Sequence, residues 1–131
     1  MNQVIELHDS SIVAVSWADG VAIVMLCPVF VHRSEGRPGV QPGTVCQRTA
    51  MFTITNATVS AKGRLPAAVR AASLRIGTID YLDVLPEEGM YADDIKLALD
   101  LSETEHLIVT GDQLLVNLTG EPSHLENFPA A

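Results

Sequence analysis

Polar and apolar positions alternate with a period of two along most of the chain, which is the signature of half-buried β-strands. The cleanest stretch is Ile95 to Leu101, where Ile95, Leu97, Leu99 and Leu101 fall on one side and Lys96, Ala98 and Asp100 on the other. Val45 to Val59 alternates in the same way: Cys46, Arg48, Ala50, Phe52 and Ile54 share one face, and a Thr-rich face suited to solvent lies opposite. Val4–Leu7 reads as a short first strand ended by the turn-forming run His8-Asp9-Ser10-Ser11. Ile12–Ala18 and Val21–Val31 flank Asp19-Gly20, a dipeptide preferred in two-residue hairpins. That turn predicts Trp17 opposite Ala22, Val15 opposite Val24 and Val13 opposite Leu26. Both faces of this hairpin are apolar, so it is expected to be covered on both sides or to lie at the centre of a sandwich. Trp17, beside the turn, reads as an edge of the core.

Pro28 cannot donate to a strand ladder and predicts a bulge or an edge. Gly77-Thr78, between Leu74–Ile76 and Ile79–Tyr81, suits a Gly-first hairpin turn. A last hairpin is expected from His106–Thr110 and Gln113–Leu118, turning at Gly111-Asp112, with a polar tail from Thr119 wandering over the surface. Only residues 61–73 have helix-forming composition, with Pro66 followed by the four alanines Ala67, Ala68, Ala71 and Ala72. The expected fold is therefore all-β: an antiparallel sandwich or small barrel of about eight or nine short strands, with at most one short helix near 66–72.

At 131 residues and 47% hydrophobic content the chain is one domain, 1–131, able to bury a core. The longest apolar run, Val21 to Val31, contains Pro28 and is too short to span a membrane as a helix, so no membrane association is expected. No base precedes Arg33, so there is no basic start to a secretory signal and a cytoplasmic location is the expectation. Cys27 and Cys46 flank the loop 32–44 out of register for a disulfide and read as two buried thiols.

The net charge of −8 is unevenly distributed. Residues 1–35 carry −3, residues 36–79 carry six bases and no acid, and residues 80–131 carry twelve acids against Lys96 alone. The basic block is expected to neutralise acidic strands rather than to bind nucleic acid, because phosphate repels an acidic domain. The acidic excess favours a basic protein partner.

The longest polar interruption is His32 to Thr44, punctuated by Gly36, Pro38, Gly39, Pro42 and Gly43. Candidate ligand-binding residues gather there: His32, Arg33, Glu35 and Arg37, with Arg48 on the following strand and His8 and Asp9 if the first strand lies nearby. His32-x-x-Glu35 offers two metal donors, with His8 or Asp9 as a third, but it matches no recognised metal signature. Arginine forks suit a carboxylate or phosphate. His8-Asp9-Ser10 holds triad-type residues side by side, and adjacency in sequence is not triad geometry. No catalytic residue, metal or cofactor is assigned.

The segments Ile5-Glu6-Leu7-His8-Asp9-Ser10, His32-Arg33-Ser34-Glu35-Gly36 to Pro42-Gly43-Thr44, and Gly120-Glu121-Pro122 make the chain resemble a family of small bacterial β-rich proteins to which no activity is attached. The resemblance implies a bacterial cytoplasmic origin and carries over no functional residue. The expected role is a non-enzymatic binding or interaction module, acting on a protein partner or on its own copy as a homodimer. The alternative is a small-ligand-binding or hydrolytic protein with its site at the 32–44 loop.

Overall fold

A computed structural model of the chain describes residues 2–34, 43–85 and 87–128. These form eleven strands: β1 (Asn2–Glu6), β2 (Ser11–Ala18), β3 (Val21–Ser34), β4 (Gly43–Thr55), β5 (Thr58–Lys62), β6 (Ala67–Ala68), β7 (Ala71–Ile76), β8 (Ile79–Leu82), β9 (Val84–Leu85), β10 (Gly89–Asp100) and β11 (His106–Phe128). No helix occurs among the described residues. The strands build one curled antiparallel sheet, ordered β6-β2-β3-β4-β11-β10-β7-β8, a half-barrel rather than two stacked layers. β1 adds to β3 and is joined on its other edge by β9, while β5 adds to β11.

The alternation of the sequence becomes the inner face of the curl. Ala22, Val24 and Leu26 of β3, Ala50, Phe52 and Ile54 of β4, Ile95, Leu97 and Leu99 of β10, and Leu114 and Val116 of β11 are buried in one cluster. Fully burying each large side chain contributes about 1.5–3 kcal/mol, so this face supplies the main driving force for folding. The Asp19-Gly20 turn places Trp17 opposite Ala22 and Val15 opposite Val24 as predicted. Leu26 then pairs with Ile12 rather than Val13, because a bulge between Ile12 and Ala14 leaves Val13 outside the ladder and 39% exposed. Gly77-Thr78 closes the β7–β8 hairpin, with Gly77 in the left-handed region (φ 61°).

Three expectations are corrected, and the one short helix allowed near 66–72 does not form. The β2–β3 hairpin is not covered on both sides: Ala14, Ser16, Trp17 and Ala18 are exposed, and the Trp17 indole N–H is held by Ala57 O at 3.1 Å. Residues 61–73 form no helix. Ala67 and Ala68 pair with Ile12 and Ser11, and from Ala71 the chain pairs with β10, burying Ala72 and Leu74 at period two. Two turns of alanine-rich helix cannot compete with that pairing. Gly111-Asp112 is not a turn. β11 runs through it unbroken, with Gly111 opposite Ile95 and Asp112 accepting a hydrogen bond from Asn56 at 2.6 Å. The tail does not wander either, since Ser123 to Phe128 pair with Gln47 to Gly43 on β4.

Pro28 does mark a bulge. The β3–β4 register shifts between Leu26 and Val29, so the buried positions change from Ala22, Val24 and Leu26 to Val29 and Val31. Cys46 pairs with Val31, out of register with Cys27, but the two thiols are free and not both buried: Cys27 is exposed in the bulge and Cys46 half-buried.

Candidate functional site

β1 and the second half of β3 create the most concentrated group of chemically active side chains among the described residues. Val4 pairs with His32 and Glu6 with Phe30. Ile5, Leu7, Val29 and Val31 point into the core, so Glu6, His8 and His32 share the outer face. Glu6 Oε2 lies 2.8 Å from His32 Nε2, and Glu6 Oε1 lies 3.3 Å from His8 Nδ1. Asp9 takes a left-handed backbone (φ 64°), which swings its carboxylate back to within 3.2 Å of the same His8 Nδ1.

The turn carrying His8 and Asp9 is tied down from three sides. Leu7 N–H donates to Asp83 O at 2.7 Å, Asp9 N–H to Val69 O at 3.2 Å, and the buried Ser10 hydroxyl to Leu7 O. The site residues thus rest on fixed backbone, while His8 and Asp9 stay 43% and 69% exposed. The hydrogen bond to Glu6 raises the His8 pKa above 6.5; partial burial opposes the shift, and the carboxylates of Asp9 and Asp83 add to it.

Of the seven sequence candidates, His8, Asp9 and His32 converge, as the proximity of the first strand required. The residue that joins them is Glu6, not among the seven candidates; its signal is the Glu-x-His spacing on a strand, which puts both side chains on one face. Arg33, next to His32, turns to the opposite face and donates to Gln3 Oε1 at 2.9 Å. Arg48, half-buried on β4, donates to Leu118 O at 3.5 Å and belongs to the β4–β11 seam. Glu35 and Arg37 lie outside the described residues. Ser10 is fully buried and its hydroxyl is committed to Leu7 O, so His8-Asp9-Ser10 does not have the geometry of a nucleophile and its base.

A second feature lies on the outer face of β7, β8 and β10. A concave pocket of about 240 Å³ is floored by Ala71, Ser73 and Ala98 and walled by Leu82, Asp83 and Asp100. Leu82 is 69% exposed and Ile79 57%. β8 ends the strand order with β7 as its partner among the described residues. Asp80 forms an exposed pair with Arg75 at 3.7 Å, and Asp93 lies against Gly77 at the hairpin tip. A smaller cavity of about 80 Å³, lined by Val15, Ala61, Leu65 and Leu107, lies between β2 and β5 and is too small for an ordinary organic ligand.

Comparison with protein-family models, with curated proteins and with solved structures finds no match.

Proposed function

We propose that the protein is a non-enzymatic binding module that recognises a basic segment of a partner protein on the outer face of β7, β8 and β10. The observation that carries this reading is the 240 Å³ pocket in which the exposed apolar wall of Leu82 stands beside Asp83 and Asp100. A lysine or arginine side chain matches it: the aliphatic stem packs on Leu82 while the charged head meets the carboxylates. The edge of β8 away from β7, unpaired among the described residues, lets the rest of an extended segment run alongside by strand addition. The concentration of acid in residues 80–131 draws such a partner in over a longer range.

The probe is a synthetic peptide of alternating lysine and valine, titrated into the labelled chain and followed by amide chemical shifts at low salt. Expected are shifts confined to residues 71–73, 79–83 and 98–100, a dissociation constant that weakens with salt, and at least a roughly tenfold loss in Asp100→Lys, since reversing a charge at an interface costs more than a kcal/mol. Binding unchanged in Asp100→Lys, shifts centred elsewhere, or no shifts at all would overturn the reading.

Self-association is a second reading, supported by β2. Beyond Ile12 its outer edge has no ladder partner among the described residues, and Val13 to Ala18 carry no charge to repel a copy. Sedimentation of the wild type and of Val15→Lys separates the two cases: a dimer dissociated by that substitution supports it, and a wild-type monomer at high concentration removes it.

A further inference from the structure

We propose that Glu6, His8 and Asp9 bind a divalent transition-metal ion of the zinc class, with His32 as the positioning residue for Glu6. One donor atom from each of the three lies within 4.8 Å of the other two. The arrangement around His8 is the decisive detail. Glu6 Oε1 and Asp9 Oδ2 approach the same imidazole nitrogen, Nδ1, at 3.3 and 3.2 Å. A single Nδ1–H points at one acceptor; the other carboxylate oxygen is then left close to the ring with no proton between them. An ion placed among the three atoms satisfies all of them at once.

The spacing fits that occupant. Zinc–nitrogen and zinc–oxygen bonds of about 2.0–2.1 Å at a tetrahedral centre set neighbouring donors about 3.4 Å apart, close to the two observed separations. One imidazole and two carboxylates form a borderline donor set suited to zinc or cobalt(II) and too poor in oxygen for calcium. The exposure of His8 and Asp9 leaves the remaining position to water or an outside ligand.

His32 supplies a separate argument, because it lies outside the donor triad. Its Nε2 holds Glu6 Oε2 at 2.8 Å and its side chain is only 17% exposed. Ligating carboxylates are commonly fixed in this way by a hydrogen bond to the oxygen that does not face the metal. Glu6 Oε1 is thereby left directed at His8. The site sits on β1 and its turn and shares Asp83 with the peptide-binding face, so the zinc titration is read on the chain without peptide.

The test is calorimetric titration of the full chain with zinc chloride, repeated with cobalt(II) to read its visible absorption. Expected are one ion per chain with micromolar affinity, an absorption intensity typical of four-coordinate cobalt, and a loss of at least tenfold in both His8→Ala and Asp9→Asn. Asp9→Asn keeps a residue type tolerant of the left-handed backbone, so the test survives if another variant fails to fold. His32→Leu is expected to weaken binding by about 10–100-fold and alter the cobalt spectrum, with partial rescue in His32→Gln, which still donates to Glu6. Absence of zinc binding at 100 µM protein (about the concentration at which micromolar affinity saturates) would overturn the proposal. So would binding unaffected by His8→Ala and Asp9→Asn, which would place the ion elsewhere.

Discussion

Gly111→Ala tests the largest departure of this fold from its own local sequence signals. In β11 the glycine faces Ile95 across one ladder and packs against the end of β4 on the other side. A Cβ built there would collide with Ile54 Cγ2 and sit 2.5 Å from Thr55 O. The second contact decides the magnitude, because a backbone oxygen in a paired strand cannot rotate away as a side chain can. Forcing one methyl into such a site costs about 3 kcal/mol, the upper part of the usual overpacking range. Alanine returns somewhat less than 1 kcal/mol by narrowing the unfolded ensemble. The net expectation is a loss of about 2 kcal/mol, which with a urea slope of about 2 kcal/mol/M lowers the unfolding midpoint by about 1 M. Gly20→Ala is the control. Gly20 occupies a true hairpin turn at φ 76° with nothing within 4 Å of a built Cβ, so its cost is the left-handed backbone alone. That is about 1–2 kcal/mol before alanine's gain and about 1 kcal/mol net of it, half the expected shift. A Gly111→Ala midpoint at or above that of wild type would refute the close approach, because even the smallest overpacking cost, about 1 kcal/mol, exceeds alanine's gain.

Phe52→Ala removes the largest fully buried side chain and is expected to cost about 3–5 kcal/mol in urea unfolding, since the rigid β3 and β11 neighbours cannot close the void. Trp17→Phe keeps an aromatic side chain at this largely exposed position but deletes the 3.1 Å bond to Ala57 O, an expected loss of about 1 kcal/mol by thermal or urea unfolding. For the metal-free chain, the hydrogen bond His8 donates to Glu6 holds the His8 pKa above 6.5. Its contribution to stability is therefore complete below pH 6.5 and is lost as pH rises through the raised value. Proton NMR titration of His8 should show that upward displacement, and Glu6→Gln should reduce it; a wild-type value at or below 6.5 would contradict the hydrogen bond.

The elements legible in the sequence are those whose cause is local. Asp19-Gly20 and Gly77-Thr78 specify turns by backbone conformation, and Ile95–Leu101 specifies a half-buried strand by period alone. Gly111-Asp112 carries the same local chemistry as a turn, yet its glycine answers a neighbour on β4 more than fifty residues away in sequence. Ala67–Ala72 fails for a related reason. Alanine is compatible with either backbone, and the choice is made by Ser11 and Ile12 on one side and Asp100 on the other. Charge placement was only partly legible: Arg75 meets Asp80 across the β7–β8 pair, but it also faces Lys96 across the β7–β10 pair.

The candidate site turns on one bulge. Through Leu26 the even-numbered residues of β3 face the core; past Pro28 the odd-numbered ones do, as the burial of Val29 and Val31 shows. Continued without that shift, the early register would bury His32 and turn Val31 to solvent. Pro28 was readable as a bulge, but its consequence four residues downstream emerges only when the two halves of β3 are compared against β4. The inversion brings His32 to the outer face, and β1, paired so that Val4 meets His32, sets Glu6 diagonally beside it. Arg33, expected to share the site, follows the same parity in the other direction and must point away wherever His32 points out. A cation-binding corner of carboxylates and imidazoles, rather than an arginine-lined anion site, is therefore the outcome that this register makes available.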